Sequence, residues 1–435
     1  MKKVRLVLIS LLMFFAVTGC SNEDKNLLDK DDPTTIQVWH YYNGAQQEEF
    51  NRLVDEFNKT VGKEKGIIVE GSGQGTISDL ERNVLDSING KAGAADIPNI
   101  FAAYGDTAYQ VDKLGYAVDL NKYFSKDELS KYVDGYLEEG HFSSKDTLKI
   151  FPVAKSVELF MLNKTDWEKF ANATGASTND LNTIEGVTKV AEQYYNWTDS
   201  LTAAPNDGKA FFGRDAFANY MLVGYRQLAT DIFSKKDNKI VLNFEADIAK
   251  KLWDNYYVPY ISGYFSSSGK FRSDDIKIGN ILACVSSSSS VTYFPKEVIL
   301  NDEESHSIEL ETFACPKFKD GKDYVVQQGA GMVVLKSEEK EQQAAVEFLK
   351  WFTSDKQNIA FSNASGYLPV TKSANDLDKI TDEVRLLGRE NISTDEQLFS
   401  YKTSLEEQMK NLIVGRTHLR KKIRTNIDDG QLQAA

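Results

Sequence analysis

Strand-like and helix-like segments alternate in the first third of the chain, and this alternation constrains the fold more than any other feature. Short apolar runs predict strands at residues 36–39, 67–69 and 99–103. Apolar residues that recur at the spacing of one helix face lie between the first two runs: Phe50, Leu53, Val54 and Phe57. Strands that alternate with helices at these lengths form a parallel sheet flanked by helices. The sequence therefore predicts an α/β fold.

The length and the charge of the chain narrow its organisation and its partners. A chain of 435 residues is longer than one hydrophobic core usually organises, so two lobes are expected. Beyond residue 20, no apolar run is long enough to cross a membrane. The formal net charge is −13, and an acidic surface of this kind repels nucleic acid. We therefore expect no nucleic-acid partner.

Cysteine and histidine are too sparse to build a metal site by pattern. Cys284 and Cys315 are the only cysteines after Cys20, which argues against a cysteine-based zinc site and against a disulfide-stapled domain. A disulfide between the two is one interpretation, and two small buried side chains are the other. The 4 histidines are scattered, without HExxH or HxH spacing. We therefore expect neither a metal site nor a cofactor.

Residues 1–20 have the pattern of a signal peptide. A basic front is followed by an apolar run at 6–17 that is too short to span a bilayer as a permanent helix. The run ends in Val-Thr-Gly-Cys at 17–20, which resembles the lipobox of bacterial lipoproteins, where the cysteine is lipidated and becomes the first mature residue. The alternative is an ordinary secretory signal with a chance cysteine. We expect an extracytoplasmic protein, anchored to the cell membrane as a lipoprotein through Cys20.

The segment at 21–33 is polar and charged. It has too little apolar surface to fold alone, so it is expected to act as a tether between the lipid and the globular part.

Several segments together resemble the family 1 solute-binding proteins of ABC importers, and most closely the branch that holds glycerol-3-phosphate- and sugar-binding members. The segments that carry the likeness are Trp39-His40 with Gly44 and the helix ending at Phe57-Asn58; 96–100 with Asp106 and 115–120; 151–152 through 162–164; 329–331 with the helix to Phe352; and Gly-Tyr-Leu-Pro-Val-Thr at 366–371. They follow the family's order from residue 36 to about residue 375.

The resemblance implies the type II periplasmic-binding-protein fold, in which two α/β lobes are joined by hinge crossings and the ligand lies in the cleft between them. The first lobe would comprise 34–152 and 325–357, and the second 153–324 and 358–435. The resemblance also implies a protein that carries out no chemistry. It would capture a carbohydrate, either a sugar or an oligosaccharide, and deliver it to the permease subunits of an ABC transporter. We expect it to act as a monomer.

An enzyme is the alternative from another class. Pairs of acidic residues such as Glu48-Glu49 and Glu303-Glu304 occur, and a secreted glycan hydrolase needs two carboxylates across a cleft. These pairs adjoin in sequence, however, and resemble solvated helix faces, and no nucleophile elbow is present. The sequence therefore favours binding over hydrolysis.

Candidate ligand-binding residues in the first lobe follow predicted strands, because the carboxyl ends of strands border the ligand in open α/β sheets. Tyr41 and Asn43 come directly after the first strand and either face the cleft or form a turn packed on their own lobe. Asp106 follows the third strand and is either a hydroxyl acceptor or the N-cap of the next helix. Tyr367 lies in the Gly-Tyr-Leu-Pro turn and either contacts the ligand or covers the lobe.

Further candidates lie on the first crossing. Ser156 matches a family position for which the resemblance implies ligand contact. Lys155 and Glu158 are charged residues in an apolar stretch, so they either pair with each other or face the cleft.

The remaining candidates belong to the second lobe and to the return crossing. Phe212 is a candidate stacking platform, with a core position as the alternative. Asp215 is a hydroxyl acceptor or an N-cap. Ser287 and Ser288 belong to a serine run that offers hydroxyl and N–H groups, unless that run is only a loose loop. Gly329 permits close approach of a ligand to the backbone, or serves as a hinge.

Departures from the glycerol-3-phosphate binders bear on the solute. The Glu that follows the third-strand Tyr in those proteins is Gly105 here, and no Arg lies within residues 393–401 to match their late phosphate-binding Arg, although Arg389 and Lys402 are nearby candidates. A phosphate dianion without its Arg is poorly held. A neutral carbohydrate is therefore preferred, and glycerol-3-phosphate or a related polyol phosphate is the alternative.

Overall fold

A computed structural model describes residues 26–236, 239–376 and 412–413. Cys20, the leader before it, and the stretch that holds Arg389 and Lys402 lie outside the described residues. No helix in the described part is both long enough and apolar enough to cross a membrane.

The strands are, in chain order, β1 (Thr34–His40), β2 (Ile67–Gly73), β3 (Ile100–Ala103), β4 (Ser156–Asn163), β5 (Phe212–Arg214), β6 (Phe233–Lys236), β7 (Lys239–Leu242), β8 (Ala283–Ser287), β9 (Glu297–Ile299), β10 (Ser305–Ser307), β11 (Leu310–Ala314), β12 (Val325–Gln328), β13 (Gly331–Val334) and β14 (Leu412–Ile413).

The helices are α1 (Gly44–Lys59), α2 (Val61–Lys65), α3 (Ile77–Ile88), α4 (Gly105–Lys113), α5 (Lys126–Leu129), α6 (Asp134–Glu138), α7 (Lys164–Thr174), α8 (Ile184–Asp199), α9 (Phe217–Gln227), α10 (Ala246–Asp254), α11 (Tyr257–Ile261), α12 (Arg272–Lys277), α13 (Glu339–Phe352) and α14 (Asp355–Ser365). Short 3-10 turns lie at Leu120–Lys122, Thr178–Asn182 and Ser288–Tyr293.

The first sheet has the order β13-β3-β1-β2. Strand β1 is parallel to both β2 and β3, as the alternation of strands and helices predicts, and β13 joins the edge antiparallel to β3. The predicted apolar stripe of α1 is buried: Phe50, Leu53, Val54 and Phe57. Burial of that stripe holds α1 against the sheet and so positions the turn at 41–43 between β1 and α1.

The second sheet has the order β14-β12-β4-β8-β5, and β11 also pairs with β4. Its central strand β4 is buried along its whole length and is antiparallel to β8, β11 and β12. Strand β5 pairs with β8 in parallel. The second sheet is therefore mixed, whereas the first sheet is mainly parallel.

Three chain segments pass side by side between the two lobes, and they contain Lys155, Leu368 and Gly329. The Lys155 N–H donates a hydrogen bond to the Leu368 carbonyl at 3.1 Å. The third segment contains Gly329, whose φ is +90°, and a Cβ on this residue would lie 2.6 Å from the Ala154 carbonyl oxygen. Position 329 therefore requires glycine, because no other residue tolerates both the dihedral and the contact.

The contacts of two elements disagree with the predicted lobe boundaries at 325 and 358. Strand β12 takes its backbone hydrogen bonds from β4 of the second sheet. Helix α14 packs on the first lobe, where Phe361 lies 5.1 Å from both Tyr42 and Phe352, measured between ring centroids. The contacts therefore favour a chain that returns to the first lobe near Ala330 and remains there through α14.

The sequence predicts a tether at 21–33, but the described part of this segment, 26–33, is packed on the first lobe. Leu28 packs against the core of the first lobe, and the Lys340 ammonium forms a 2.6 Å ion pair with Asp32. A segment that cannot fold alone is here held by a surface that is already folded.

The two cysteines after residue 20 are free thiols. Cys284 packs with Val157 and Met161 on one face of the second sheet, whereas Cys315 packs with Phe160 on the other face. The sheet between them rules out the disulfide interpretation in this structure.

Candidate functional site

A cavity of about 710 Å³ lies between the lobes. Its volume is within the range of small-molecule sites. The residues that line it are Tyr41, Asn43, Gln46 and Tyr367 from the first lobe, and Phe271, Ser273, Asp274, Lys277, Ser289, Ser290, Tyr293, Pro295, Lys296, Glu297 and Ser307 from the second. Because both lobes contribute, a molecule bound here would bridge them.

Two phenols form the first-lobe wall. Tyr41 follows β1, Tyr367 follows α14, and their hydroxyl oxygens lie 3.3 Å apart. The Ala330 N–H also donates to the Tyr41 hydroxyl, at 3.4 Å. Burial raises the pKa of Tyr41 and of Tyr367 well above the ordinary value. Both phenols therefore stay neutral and can donate as well as accept hydrogen bonds, which suits recognition of hydroxyl groups.

A direct hydrogen bond joins the two lobes beside the cavity. The Tyr293 hydroxyl, at the end of the 3-10 turn after β8, lies 3.2 Å from Asn43 Oδ1 and 3.3 Å from the Asn43 carbonyl oxygen. Tyr293 is 44% exposed, so its ring also presents an apolar face at this point. The two lobes thus meet through a tyrosine and an asparagine.

The second-lobe wall combines an aromatic face with charged groups. Phe271 is 52% exposed and directly precedes α12, where its N–H donates to Asp274 Oδ2 at 3.0 Å. Within the described part of the chain, Lys277 and Lys296 form no ion pair. With Asp274 and Glu297 also in the lining, the charges of the lining balance. A wall of aromatic faces and hydrogen-bonding groups fits a polyhydroxylated molecule.

Of the predicted ligand residues, the structure brings Tyr41, Asn43 and Tyr367 to the cavity wall. Ser287 and Ser288 lie next to it. The Ser287 hydroxyl lies 2.9 Å from that of Ser289, which does line the cavity, and accepts from the Ser289 N–H. Ser288 is fully buried and donates to the Gly366 carbonyl at 3.0 Å. The serine run is therefore an ordered turn rather than a loose loop.

Lys155 and Glu158 neither pair with each other nor face the cavity, which corrects both interpretations of these residues. Lys155 is 1% exposed and forms an ion pair with Glu139, while also donating to the Gly329 carbonyl at 2.8 Å. Glu158 accepts from Asn219 at 2.7 Å and pairs with Arg214. Each of the two charged side chains is thus partnered by residues from other segments of the chain.

The prediction that Phe212 is a stacking platform is wrong. Phe212 is 3% exposed, and its ring stacks on Phe160 at 5.7 Å with an interplanar angle of 8°. Strand β5 pairs with β8, and the Phe212 side chain is part of the buried cluster of the second lobe that also contains Phe160.

The four remaining predicted residues, Asp106, Ser156, Asp215 and Gly329, lie outside the cavity lining. Asp215 accepts a hydrogen bond from the Ser286 hydroxyl and one from the Arg272 N–H, the latter at 2.9 Å, and so links β5 to α12. Ser156 is buried at the start of β4, opposite Gln328. Asp106 is the second residue of α4 and not its N-cap, which is Tyr104, and its carboxylate accepts from the Thr107 N–H at 3.0 Å.

Sequence reasoning missed Phe271 and Tyr293. Each is an aromatic residue in a polar stretch, Gly-Lys-Phe-Arg-Ser-Asp-Asp and Ser-Val-Thr-Tyr-Phe-Pro-Lys. An aromatic residue without an apolar periodicity around it is a signal of exposure, and that signal was available. Among the described residues, no group of three or more His, Cys, Asp or Glu side chains could hold a metal ion.

A family model described as bacterial extracellular solute-binding protein matches residues 52–387. No curated protein sequence matches the chain.

Solved structures match nearly the whole chain. The cyclic alpha-maltosyl-1,6-maltose binding protein from Arthrobacter globiformis has a TM-score of 0.66 at 19% identity, over 92% of this chain and 95% of that chain. UgpB from Mycobacterium tuberculosis, in complex with glycerophosphocholine, has a TM-score of 0.69 at 17% identity, over 92% and 94%. The maltose/maltodextrin-binding domain MalE from Bdellovibrio bacteriovorus, bound to maltotriose, has a TM-score of 0.63 at 13% identity, over 92% and 95%. These likenesses confirm the predicted two-lobe α/β fold of the periplasmic-binding-protein type.

Proposed function

Because the chain belongs to the bacterial extracellular solute-binding proteins and so serves an ABC importer without catalysing a reaction, we propose that its solute is a carbohydrate held in the cavity between its lobes. The solute class is a sugar or an oligosaccharide. The bound solute would be delivered to the permease subunits of the transporter.

The observation that carries this proposal is the pairing of neutral phenol groups with aromatic faces in one cavity. Tyr41 and Tyr367 offer hydroxyls that donate and accept, and Phe271 and Tyr293 offer flat apolar surfaces on the opposite side. Sugars require both kinds of surface, because their hydroxyls need hydrogen bonds and their C–H faces need apolar contact. The balanced charges of the lining also suit a neutral solute.

The mechanism we propose is closure of the cleft around the solute. A solute that touches both walls binds the closed state more tightly than the open one, and it shifts the population by that difference in affinity. The permease would then recognise the closed state.

A polyol phosphate is the second candidate, and Lys277 with Lys296 is the observation that favours it. Both ammonium groups line the cavity, and neither has an ion-pair partner in the described part of the chain. No arginine lies in the described lining, and lysine binds phosphate as a point charge without the bidentate geometry of arginine. The structural matches include binders of each kind, since UgpB holds glycerophosphocholine and the Bdellovibrio MalE domain holds maltotriose.

We also propose that the protein is held outside the cytoplasmic membrane by lipid on Cys20. The basic front, the short apolar run and the Val-Thr-Gly-Cys ending support this assignment. Mass spectrometry of the protein extracted from the membrane fraction should show Cys20 as the first residue with acyl chains attached, and an unmodified Cys20 would contradict the assignment.

Thermal unfolding of the mature chain, produced without lipid from Ser21, tests the solute class. Neutral mono- and oligosaccharides, glycerol-3-phosphate and glycerophosphocholine would be added separately, because a solute that binds only the folded state raises the apparent stability. We expect a neutral carbohydrate to raise the unfolding temperature and Tyr367→Phe to reduce that effect.

The lysines separate the two candidates. The double variant Lys277→Gln/Lys296→Gln should leave carbohydrate binding nearly intact, and the exposed pair Lys189→Gln/Lys209→Gln serves as its control. Stabilisation by phosphorylated solutes alone, lost in the first double variant and kept in the second, would replace the carbohydrate proposal with the polyol-phosphate one.

A further inference from the structure

The described chain begins packed against one particular edge of the first lobe. The Leu27 N–H donates to the Gln343 side chain at 2.9 Å, in the second turn of α13. Lys340 binds both the carboxylate of Asp32 at 2.6 Å and its carbonyl at 2.8 Å. The first described residue, Asn26, is therefore held beside α13, and we call this place the exit point.

Helix α2 borders the same exit point. Gly66, which ends α2 with a φ of +70°, lies so close to Asp29 that a Cβ on Gly66 would be 1.9 Å from the Asp29 carbonyl oxygen. Leu28 is inserted against the core of the first lobe. Polar, apolar and steric contacts thus all hold the segment in one place.

Little chain is left between this exit point and the proposed lipid site. A fully extended chain from Cys20 to Asn26 spans at most about 20 Å. That reach is close to the length of α13 itself, about 21 Å for its 14 residues. A connection no longer than one helix of the lobe, here called the leash, does not let the folded body turn freely about its lipid.

We infer that the edge of the first lobe formed by α2 and the first half of α13 faces the membrane surface, while the second lobe carries no such restraint. This inference rests on the lipid anchor put forward under the proposed function. It adds an orientation to that anchor: the first lobe is the stationary body, and cleft closure moves the second lobe relative to the membrane.

Chain length imposes this orientation, and charge attraction does not. The exposed residues at the exit carry both signs, with Lys30 and Lys63 next to Asp31 and Glu64. A mixed surface has no net attraction to anionic lipid head groups, so added salt should leave the orientation unchanged.

Energy transfer to the membrane tests the inference in lipidated, full-length protein reconstituted in phosphatidylcholine vesicles that contain an acceptor-labelled lipid. A donor dye is placed on Lys63→Cys at the exit edge, or on Lys250→Cys on α10 of the second lobe; both lysines are exposed. Protein without either substitution gives the background from Cys284 and Cys315, which are buried and partly buried. We expect a larger loss of donor fluorescence for the Lys63→Cys protein.

A lengthened leash is the matched control. Insertion of about twenty Gly and Ser residues after Asn22 gives a flexible segment that should remove the difference between the two positions. Equal transfer from both positions with the natural leash, or greater transfer from Lys250→Cys, would overturn the inferred orientation. A Cys20→Ala protein produced from residue 20, and so without the apolar run at 6–17, separates the two claims. If it stays on the vesicles, the anchor itself is wrong, whereas equal transfer in a protein that depends on Cys20 rejects only the orientation.

Discussion

The Tyr293 hydroxyl on the second lobe donates a hydrogen bond to the Asn43 side chain on the first lobe, over an oxygen–oxygen distance of 3.2 Å. Both residues line the cavity, and they are 250 positions apart in the chain. Since the partners belong to different lobes, the bond can exist only while the lobes are together. In the closure mechanism proposed above, this bond would stabilise the closed state.

Replacing Tyr293 by Phe should weaken solute binding by about two- to tenfold. The substitution removes one hydrogen bond worth about 0.5–1.5 kcal/mol and keeps the ring in place. Isothermal titration with the solute identified by thermal unfolding measures the change. Tyr260→Phe, on α11 and 43% exposed, removes a surface hydroxyl elsewhere and serves as the control. Equal affinities for the Tyr293→Phe protein and the original would show that the bond does not favour closure.

Two phenylalanines should respond in opposite ways to truncation. Phe271→Ala removes an exposed ring from the cavity wall, so stability should change by no more than about 0.5 kcal/mol while solute affinity falls about two- to tenfold. Phe212→Ala removes a buried ring stacked on Phe160, so unfolding should become about 3–5 kcal/mol easier. Urea unfolding and titration of both variants measure the contrast. Loss of stability in Phe271→Ala, with affinity unchanged, would assign that ring to the core.

His40 should make the protein less stable in mild acid. The ring is 1% exposed, and burial lowers its pKa from 6.5 to about 4. The unfolded chain therefore takes up a proton below about pH 6.5 that the folded chain refuses until about pH 4. The stability that the neutral ring contributes is lost as the pH falls through this window, by about 2 kcal/mol between about pH 7 and about pH 5.

A glutamine at position 40 isolates this effect. His40→Gln keeps a side-chain acceptor for the Tyr42 N–H, which binds His40 Nδ1 at 3.2 Å, and removes the titrating group. Urea unfolding at both pH values should show a smaller loss for the variant than for the original protein. Identical losses in the two proteins would mean that other groups carry the acid sensitivity.

Lys155→Met should destabilise the protein by about 3–5 kcal/mol, because it leaves the buried Glu139 carboxylate without its cation. The double variant Lys155→Met/Glu139→Gln removes both charges and should recover most of that loss. As a control, Lys250→Met breaks an exposed pair with Asp254 and should cost at most about 1 kcal/mol. Urea unfolding measures all three. A small effect of Lys155→Met, similar to that of Lys250→Met, would show that the charge of Lys155 is not needed at this position.

The sequence predicted the architecture well where the signal is local. The stripe of α1 and the strands at 36–39 and 67–69 follow from side-chain periodicity, and the structure has them where the pattern predicts. Tyr41 and Asn43 reach the cavity wall because they come at the end of β1, and position at a strand end is readable from sequence.

The fate of the buried charged residues was not readable. The partner of Lys155 is Glu139 on a neighbouring loop, and the partners of Glu158 are Arg214 and Asn219, more than fifty positions away. Periodicity tells which face a side chain takes but not what the fold brings opposite it. For the same reason the prediction placed Phe212 in the ligand site, because an aromatic ring suits a stacking platform, whereas the fold buries this ring in the core.

The ammonium of Lys155 donates a hydrogen bond to the Gly329 carbonyl, and the backbone N–H of Lys155 donates one to the Leu368 carbonyl. A single lysine therefore links all three segments that pass between the lobes. Segments that are hydrogen-bonded to one residue in this way cannot bend independently of one another. In the proposed closure, the three segments would therefore turn through a common angle about one axis, and the rims of the cleft should meet in the same alignment on every cycle.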